Sequence, residues 1–177
     1  MKKVLIVGGG AAGFFCAIQV ANAQPDWEVS IVEKTSKILS KVKVSGGGRC
    51  NVTHDCKDVP HLLSKYPRGK QFLKKAFYQF ATQQTIDWYA AHGVDLHVEG
   101  DGRMFPVSNN SETIIQCLLK EVNRLGINIL LNHEVVDVKN KFEITFRDGK
   151  QMHVDVICLA VGGLLRSDCI TWIESLG

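Results

Sequence analysis

The chain has 177 residues, 45% hydrophobic and 22% charged, enough to bury a globular core and too apolar for a disordered or fibrous protein. Its net charge of +3 is too small, and too evenly spread, to argue for nucleic acid, and no nucleic-acid partner is expected. No apolar run reaches the roughly 18 residues of a membrane span, and the apolar start VLIVGGG runs into glycines rather than a signal cleavage site, so a soluble, cytoplasmic protein without a membrane partner is expected.

Residues 2–7, KKVLIV, form the short, nearly all-apolar run of a strand buried on both faces. After the glycines, residues 11–23 place Ala12, Phe15, Cys16, Ile18, Gln19 and Ala23 at spacings that suit a buried helix with one small-residue face. Residues 27–34 read as a second strand ending on an acid, which completes a βαβ unit. A polar stretch with His and Asp leads on to Pro67. Residues 70–81 and 85–93 then pattern as two helices, the second closed by Gly93, and residues 94–108 alternate as strands around a GDG hairpin turn. The clearest helix follows: Ile114, Ile115, Leu118, Leu119, Val122 and Leu125 form one apolar stripe, with Asn110 or Ser111 as cap and Gly126 as stop. INILL, EVVDV, KFEITFRDGKQMHV with its Asp148–Gly149 turn, and VDVICLAVGG complete the pattern. The expected class is α/β, a parallel Rossmann-like layer with an antiparallel β-meander late in the chain.

The first chemical motif is GGGAAG, which satisfies G-x-G-x-x-G through Gly8, Gly10 and Gly13. It follows a predicted strand, opens a predicted helix and precedes Glu33 at the end of the next strand. Gly8 allows the tight turn, Gly10 allows a pyrophosphate to approach the backbone, and Gly13 allows helix to pack on strand. The helix N-terminus offers free N–H groups to the phosphates, and Glu33 can accept from a ribose diol while repelling a 2′-phosphate. The pattern points to an ADP-containing dinucleotide, NAD or FAD rather than NADP.

A second glycine run lies in KVSGGGRCNVTH, residues 43–54. A simple NAD domain has no use for it, whereas a larger dinucleotide extended across the sheet needs a second place of close approach, which points to FAD. The alternative is a tight bend between the second strand and the following helix.

VLIVGGGAAG, KVSGGGRCNVTH, DGRMFPVS and VDVICLAVGG, in this order and spacing, resemble the bacterial NAD(P)/FAD-dependent flavoproteins of the aminoacetone-oxidase-like group, whose members include reductases of unsaturated steroid-type substrates. The resemblance covers essentially the whole chain and implies an FAD domain of glutathione-reductase type. It implies that Gly8, Gly10, Ala11, Ala12 and Gly13 hold the pyrophosphate, that Glu33, with Lys34 beside it, holds the adenosine ribose, and that Lys41, Ser45, Gly46, Gly47, Arg49, Cys50 and Asn51 border the extended FAD. Val135 falls on the strand whose backbone meets adenine, and Ala160 and Gly162 fall in the turn under the cofactor, where Val161 replaces the family's usual threonine. Family members are far longer, with a second inserted domain and a returning C-terminal segment. By the resemblance, residues 1–177 are therefore an FAD/NAD(P)-binding domain forming the first part of such a flavoprotein.

Other groups have plainer readings. Cys16, Cys50, Cys56, Cys117, Cys158 and Cys169 show no C-x-x-C pair and read mostly as reduced core residues. Cys50 and Cys56 are similar to the redox pair of the disulfide reductases, but at C-x5-C rather than C-x4-C. His54, Asp55, Cys56, Asp58 and His61 match no standard metal spacing and read as a solvated loop. The expected function is flavin-mediated hydride transfer to a small-molecule substrate, with NAD(P)H as reductant and no assigned catalytic acid or base. A disulfide reductase, an NAD-binding dehydrogenase and a non-enzymatic dinucleotide-binding module remain as alternatives.

Overall fold

In the computed structural model, residues 1–140, 142–163 and 171–174 are described. In chain order the elements are β1 Lys3–Val7, α1 Ala11–Ala23, β2 Glu28–Glu33, α2 Ser40–Val44, a 3-10 turn Ser45–Gly48, β3 Thr53–His54, α3 Val59–Ser64, α4 Lys70–Gln79, α5 Thr82–Ala91, β4 Leu96–Val98, β5 Arg103–Pro106, α6 Ser111–Arg124, β6 Asn128–Leu131, β7 Val135–Lys139, β8 Glu143–Phe146, β9 Gln151–His153, β10 Val156–Leu159 and α7 Thr171–Glu174. They divide into two compact units, one of Met1–Lys41 with Leu118–Gly177, the other of Val42–Cys117.

The first unit holds a parallel sheet in the order β10-β1-β2-β6. Side chains alternate across β1, so Leu5 and Val7 face one way and Val4 and Ile6 the other, and all four are buried. That is why KVLIV reads as an unbroken apolar run. Leu5, Val7 and Val32 pack with Val135, Val138, Ile144, Phe146, Val154 and Trp172, which come from or beside the antiparallel meander β7-β8-β9 and from α7. Each such fully buried aliphatic side chain contributes about 1.5–3 kcal/mol. The α/β architecture with a parallel layer and a late meander is thus the one the sequence predicts.

On the opposite face, α1 packs against β1 and β2. Its buried residues are Gly13, Phe14, Ala17, Ile18 and Ala21, whereas Ala12, Gln19 and Ala23 are exposed and Phe15 and Cys16 are half-buried. The predicted buried face is therefore rotated. Contact at Gly13 sets the rotation: a Cβ there would collide with the Gly8 carbonyl oxygen and lie 3.4 Å from Ile6 Cγ2, so the helix meets the strand along Gly13 and the i+4 and i+8 positions that follow it.

The second unit contains a small antiparallel sheet, β3-β5-β4, in which the GDG turn joins β4 to β5 as expected. Helix α3 lies inside the stretch read as polar loop; the Asp58 side chain caps it by accepting from His61 N–H at 2.7 Å, and Pro60 sits in its first turn. The unit boundary falls within α6, between Cys117 and Leu118. Asn110 Oδ1 accepts from Glu112 N–H at 2.9 Å at the start of α6, and Gly126, at φ 65, ends it. Ile114, Ile115, Leu118 and Val122 of the predicted stripe are buried, and Leu119 and Leu125 are half-buried.

Gly13→Ala is expected to destabilise the protein by about 1–3 kcal/mol, despite the helix-propensity gain of about 1 kcal/mol on removing a glycine. Gly10→Ala, whose new methyl meets nothing within 4 Å, should cost less. Equilibrium urea unfolding of both variants checks the order.

Candidate functional site

The loop between β1 and α1 is built by backbone contacts. Gly8 has φ 121, and a Cβ there would strike the Ala160 carbonyl, so this residue must be glycine on two counts. Gly8 N–H donates to Val32 O at 2.8 Å and Ala160 N–H donates to Val7 O at 2.8 Å, which draws the ends of β1, β2 and β10 together. Gly10 is the opposite case. It is the N-cap of α1, extended at φ -92, with no side-chain cap, no acid in the first turn and open space where a Cβ would be. Ala11 and Ala12 follow, exposed. The first turn of a 13-residue helix thus presents N–H groups without a side-chain acceptor to an open surface, the arrangement that accepts phosphate oxygens.

Glu33, at the end of β2, grips the loop from the side. Its Oε2 accepts from Gly9 N–H at 3.0 Å, and its Oε1 accepts from Thr35 N–H and Thr35 Oγ1, each at 2.9 Å. An ionised carboxylate has about four acceptor positions, so capacity for a ribose hydroxyl remains. Lys34 is exposed, and with Arg147 it holds the Glu134 carboxyl below its usual range, the hydrogen bond from Arg147 being the larger cause. Glu33 O accepts from His133 N–H at 2.9 Å, which leads the chain to buried Val135 at the start of β7. Lys41 brings its Nζ within 3.3 Å of the position a Cβ would take at Gly162, itself at φ 73. The predicted residues of this unit therefore gather at one end of the parallel sheet.

In the second unit, the glycine run has a backbone explanation. Gly46, Gly47 and Gly48 have φ 57, 69 and 87, and Cys50 follows at φ 63. Three successive left-handed residues would be costly for any side chain with a Cβ. A close approach at Gly46 exists, and the group approaching is protein: a Cβ there would lie 2.7 Å from Phe105 Cε1 and 2.9 Å from Asn51 N, while Gly47 faces open space. Arg49 braces the turn, its guanidinium 4.0 Å from the centre of the buried Phe105 ring, its Nε donating to Gly46 O at 3.3 Å and its Nη1 paired with Glu99. Ser45 Oγ donates to Val42 O at 2.9 Å. Asn51 has its side-chain amide beside Thr53 O, which its nitrogen reaches at 2.9 Å when the amide is turned to face that acceptor. Cys50 is buried, which pushes its thiol up, so it is no ready thiolate nucleophile.

Cys56 is also a buried free thiol, and Cys169 lies outside the described residues. The close sulfur pair is one the spacing did not single out: Cys16 Sγ on α1 donates to Cys158 Sγ on β10 at 3.4 Å. His54, of the loop considered for metal, has Nε2 at 3.1 Å from Asp101 O.

A family model described as the HI0933-like protein Rossmann domain matches residues 2–168. The chain belongs to that family. The chain is 32% identical over 166 residues to the ribosomal RNA dihydrouridine synthase of Haemophilus influenzae, covering 90% of this chain and 40% of that protein. It is 28% identical over 165 residues to the 3-dehydro-bile acid delta(4,6)-reductase of Clostridium scindens, covering 92% and 39%. The chain thus spans about two fifths of the length of these curated relatives. Among solved structures it is similar to E. coli quinol fumarate reductase FrdA, with TM-score 0.66 at 17% identity over 92% of this chain and 33% of that one. The open conformation of a flavocytochrome c3 fumarate reductase gives TM-score 0.64 at 22% identity over 92% and 34%. These structural likenesses concern the fold.

Burial, and then the hydrogen bond to Cys158, push the Cys16 thiol up from 9.0 to about 12. The folded state therefore favours the neutral thiol: its contribution to stability is complete below about pH 9 and is lost as pH rises toward 12. Unfolding free energy should accordingly fall as pH is raised above 9, and Cys16→Ala should flatten that slope. Denaturant titrations at pH 8 and at pH 10.5 check this.

Proposed function

We propose that this chain binds FAD and forms the cofactor-binding part of a cytoplasmic, flavin-dependent oxidoreductase, within the aminoacetone-oxidase-like group that its motifs resemble. The observation that carries the proposal is the open, uncapped start of α1 at Gly10, with the Glu33 carboxylate beside it. These residues fit the ADP half of a dinucleotide: there is room for phosphate where a side chain at Gly10 would stand, the first turn of α1 has no side-chain cap, and a carboxylate lies on the ribose side. Residues 8–13 would hold the pyrophosphate, Glu33 the ribose, Val135 the adenine edge, and Lys41 beside Gly162 would add a cation. For Ser45, Gly46, Gly47, Arg49, Cys50 and Asn51, in the second unit, a cofactor role is what the resemblance alone implies. Bound flavin supplies hydride and electron transfer, with NAD(P)H proposed as the reductant. The protein's own part is to bind and orient; Glu33 also keeps the loop in shape through Gly9.

No helix among the described residues is long and apolar enough to cross a membrane. For the substrate, the first reading is a small unsaturated molecule, which the 28% identity to a bile acid reductase supports. The 32% identity to a ribosomal RNA dihydrouridine synthase favours a second, a uracil ring in RNA.

Calorimetric titration with ADP and with FAD tests the cofactor assignment. Gly10→Val should abolish binding of both while leaving the unfolding transition in place, because its side chain enters open space that phosphate would occupy. Glu33→Ala should weaken both ligands by about 1–3 kcal/mol, the scale of a lost charge-assisted hydrogen bond together with its unpaired partner. A folded Gly10→Val protein that binds ADP as the parent does would refute the assignment.

A further inference from the structure

Whole-chain charge hides a local excess. From Val59 to Ile86 the sequence has no Asp or Glu, yet it carries Lys65, Arg68, Lys70, Lys74 and Lys75, more positive charge than the net +3 of the entire protein. The structure places all five on the surface of the second unit, along α4 and the turn before it. Helix α4 has no buried residue. Its inner side carries the half-buried Leu73 and Phe77, with Phe77 edge-on to Tyr66 at 5.3 Å. At 100° per residue, the outer arc carries Phe72, Lys75 and Tyr78, with Lys74 on the flank beside Tyr78. Phe72 is 90% exposed and Tyr78 61%. Folding gains almost nothing from an aromatic ring held in water, so the two rings call for a ligand with flat apolar faces, and Lys75 between them and Lys74 beside them for one with negative charge.

We propose that the outer face of α4, with Lys65 and Arg68 ahead of it, binds single-stranded RNA, the lysines meeting phosphates and Phe72 and Tyr78 each stacking an unpaired base. The two rings lie about 9 Å apart along the helix axis at 1.5 Å per residue, too far to share one base. A membrane surface is the poorer fit, because an interfacial helix gathers its apolar residues on one broad face, whereas here Leu73 and Phe77 turn inward and the outer rings are separated by lysine and glutamine. The inference gives the second substrate reading a contact surface and rests on that reading for its meaning, while its evidence lies outside the cofactor loops.

The test is fluorescence anisotropy of a labelled single-stranded RNA of about 12 nucleotides, titrated with the 177-residue chain. Binding should weaken roughly tenfold to hundredfold between 50 and 200 mM salt. The exposed-site double variant Phe72→Ala/Tyr78→Ala should lose about tenfold or more in affinity with the salt slope unchanged, whereas Lys74→Gln/Lys75→Gln should reduce the slope. Absence of RNA binding overturns the proposal, as does binding that neither variant alters. Vesicles of phosphatidylglycerol and phosphatidylcholine that bind the chain through Phe72 and Tyr78 where RNA does not would also overturn it, in favour of a membrane. ADP titration of the same variants separates the two claims: intact ADP binding without RNA binding refutes this surface and leaves the cofactor reading standing.

Discussion

Everything at the glycine-loop end of the parallel sheet depends on how closely the Gly8 backbone runs to its neighbours. It has the Gly8 carbonyl against Gly13 on one side and the Ala160 carbonyl against its own Cα on the other. Helix α1 can start where it does, and present its first N–H groups to open space, only because neither residue has a side chain. The same contact fixes which face of α1 is buried, and so the packing of Phe14, Ala17 and Ile18 on the sheet follows from it. In a close-packed interior a methyl group at either position cannot be absorbed locally; helix, strand and the turn after β10 would have to separate.

Much of this was legible in the sequence because the signals are local. An apolar run followed by glycines, a helix and a strand ending in Glu33 requires no long-range information, and the strands, the GDG turn and the stripe of α6 were read for the same reason. The rotation of α1 was not legible, since Phe15 and Cys16 are as apolar as Phe14 and Ala17, and only the tertiary contact at Gly13 decides between them. Asp58 and Pro60 mark the start of helix α3, but its six residues are too few for periodicity to separate it from the polar loop around it. The proximity of Cys16 to Cys158 joins positions far apart in the chain that no spacing rule connects.

The second glycine run teaches a different lesson. Its composition invited the idea of an incoming ligand, yet the left-handed φ values of Gly46, Gly47 and Gly48 and the approach of Phe105 to Gly46 already account for the absence of side chains. Arg49 is likewise engaged before any ligand arrives, by the Phe105 ring, the Gly46 carbonyl and Glu99. Whatever that loop binds, it meets as a shape set by the protein. The basic stretch from Val59 to Ile86 is equally legible in the sequence once charge is counted segment by segment, because it needs no tertiary information.

The hydrogen bond from Gly9 N–H to Glu33 also bears on how fast a ligand is captured. A glycine-rich loop with no such anchor would sample many conformations when empty, and a ligand would have to wait for the competent one. Here a carboxylate from the neighbouring strand holds the peptide in place in the ligand's absence, so the entropy of ordering the loop is lost once, during folding, and not again at each encounter. Capture of a dinucleotide at this end should then be a single-step process whose observed rate rises linearly with ligand concentration, without the plateau that a slow loop closure would impose.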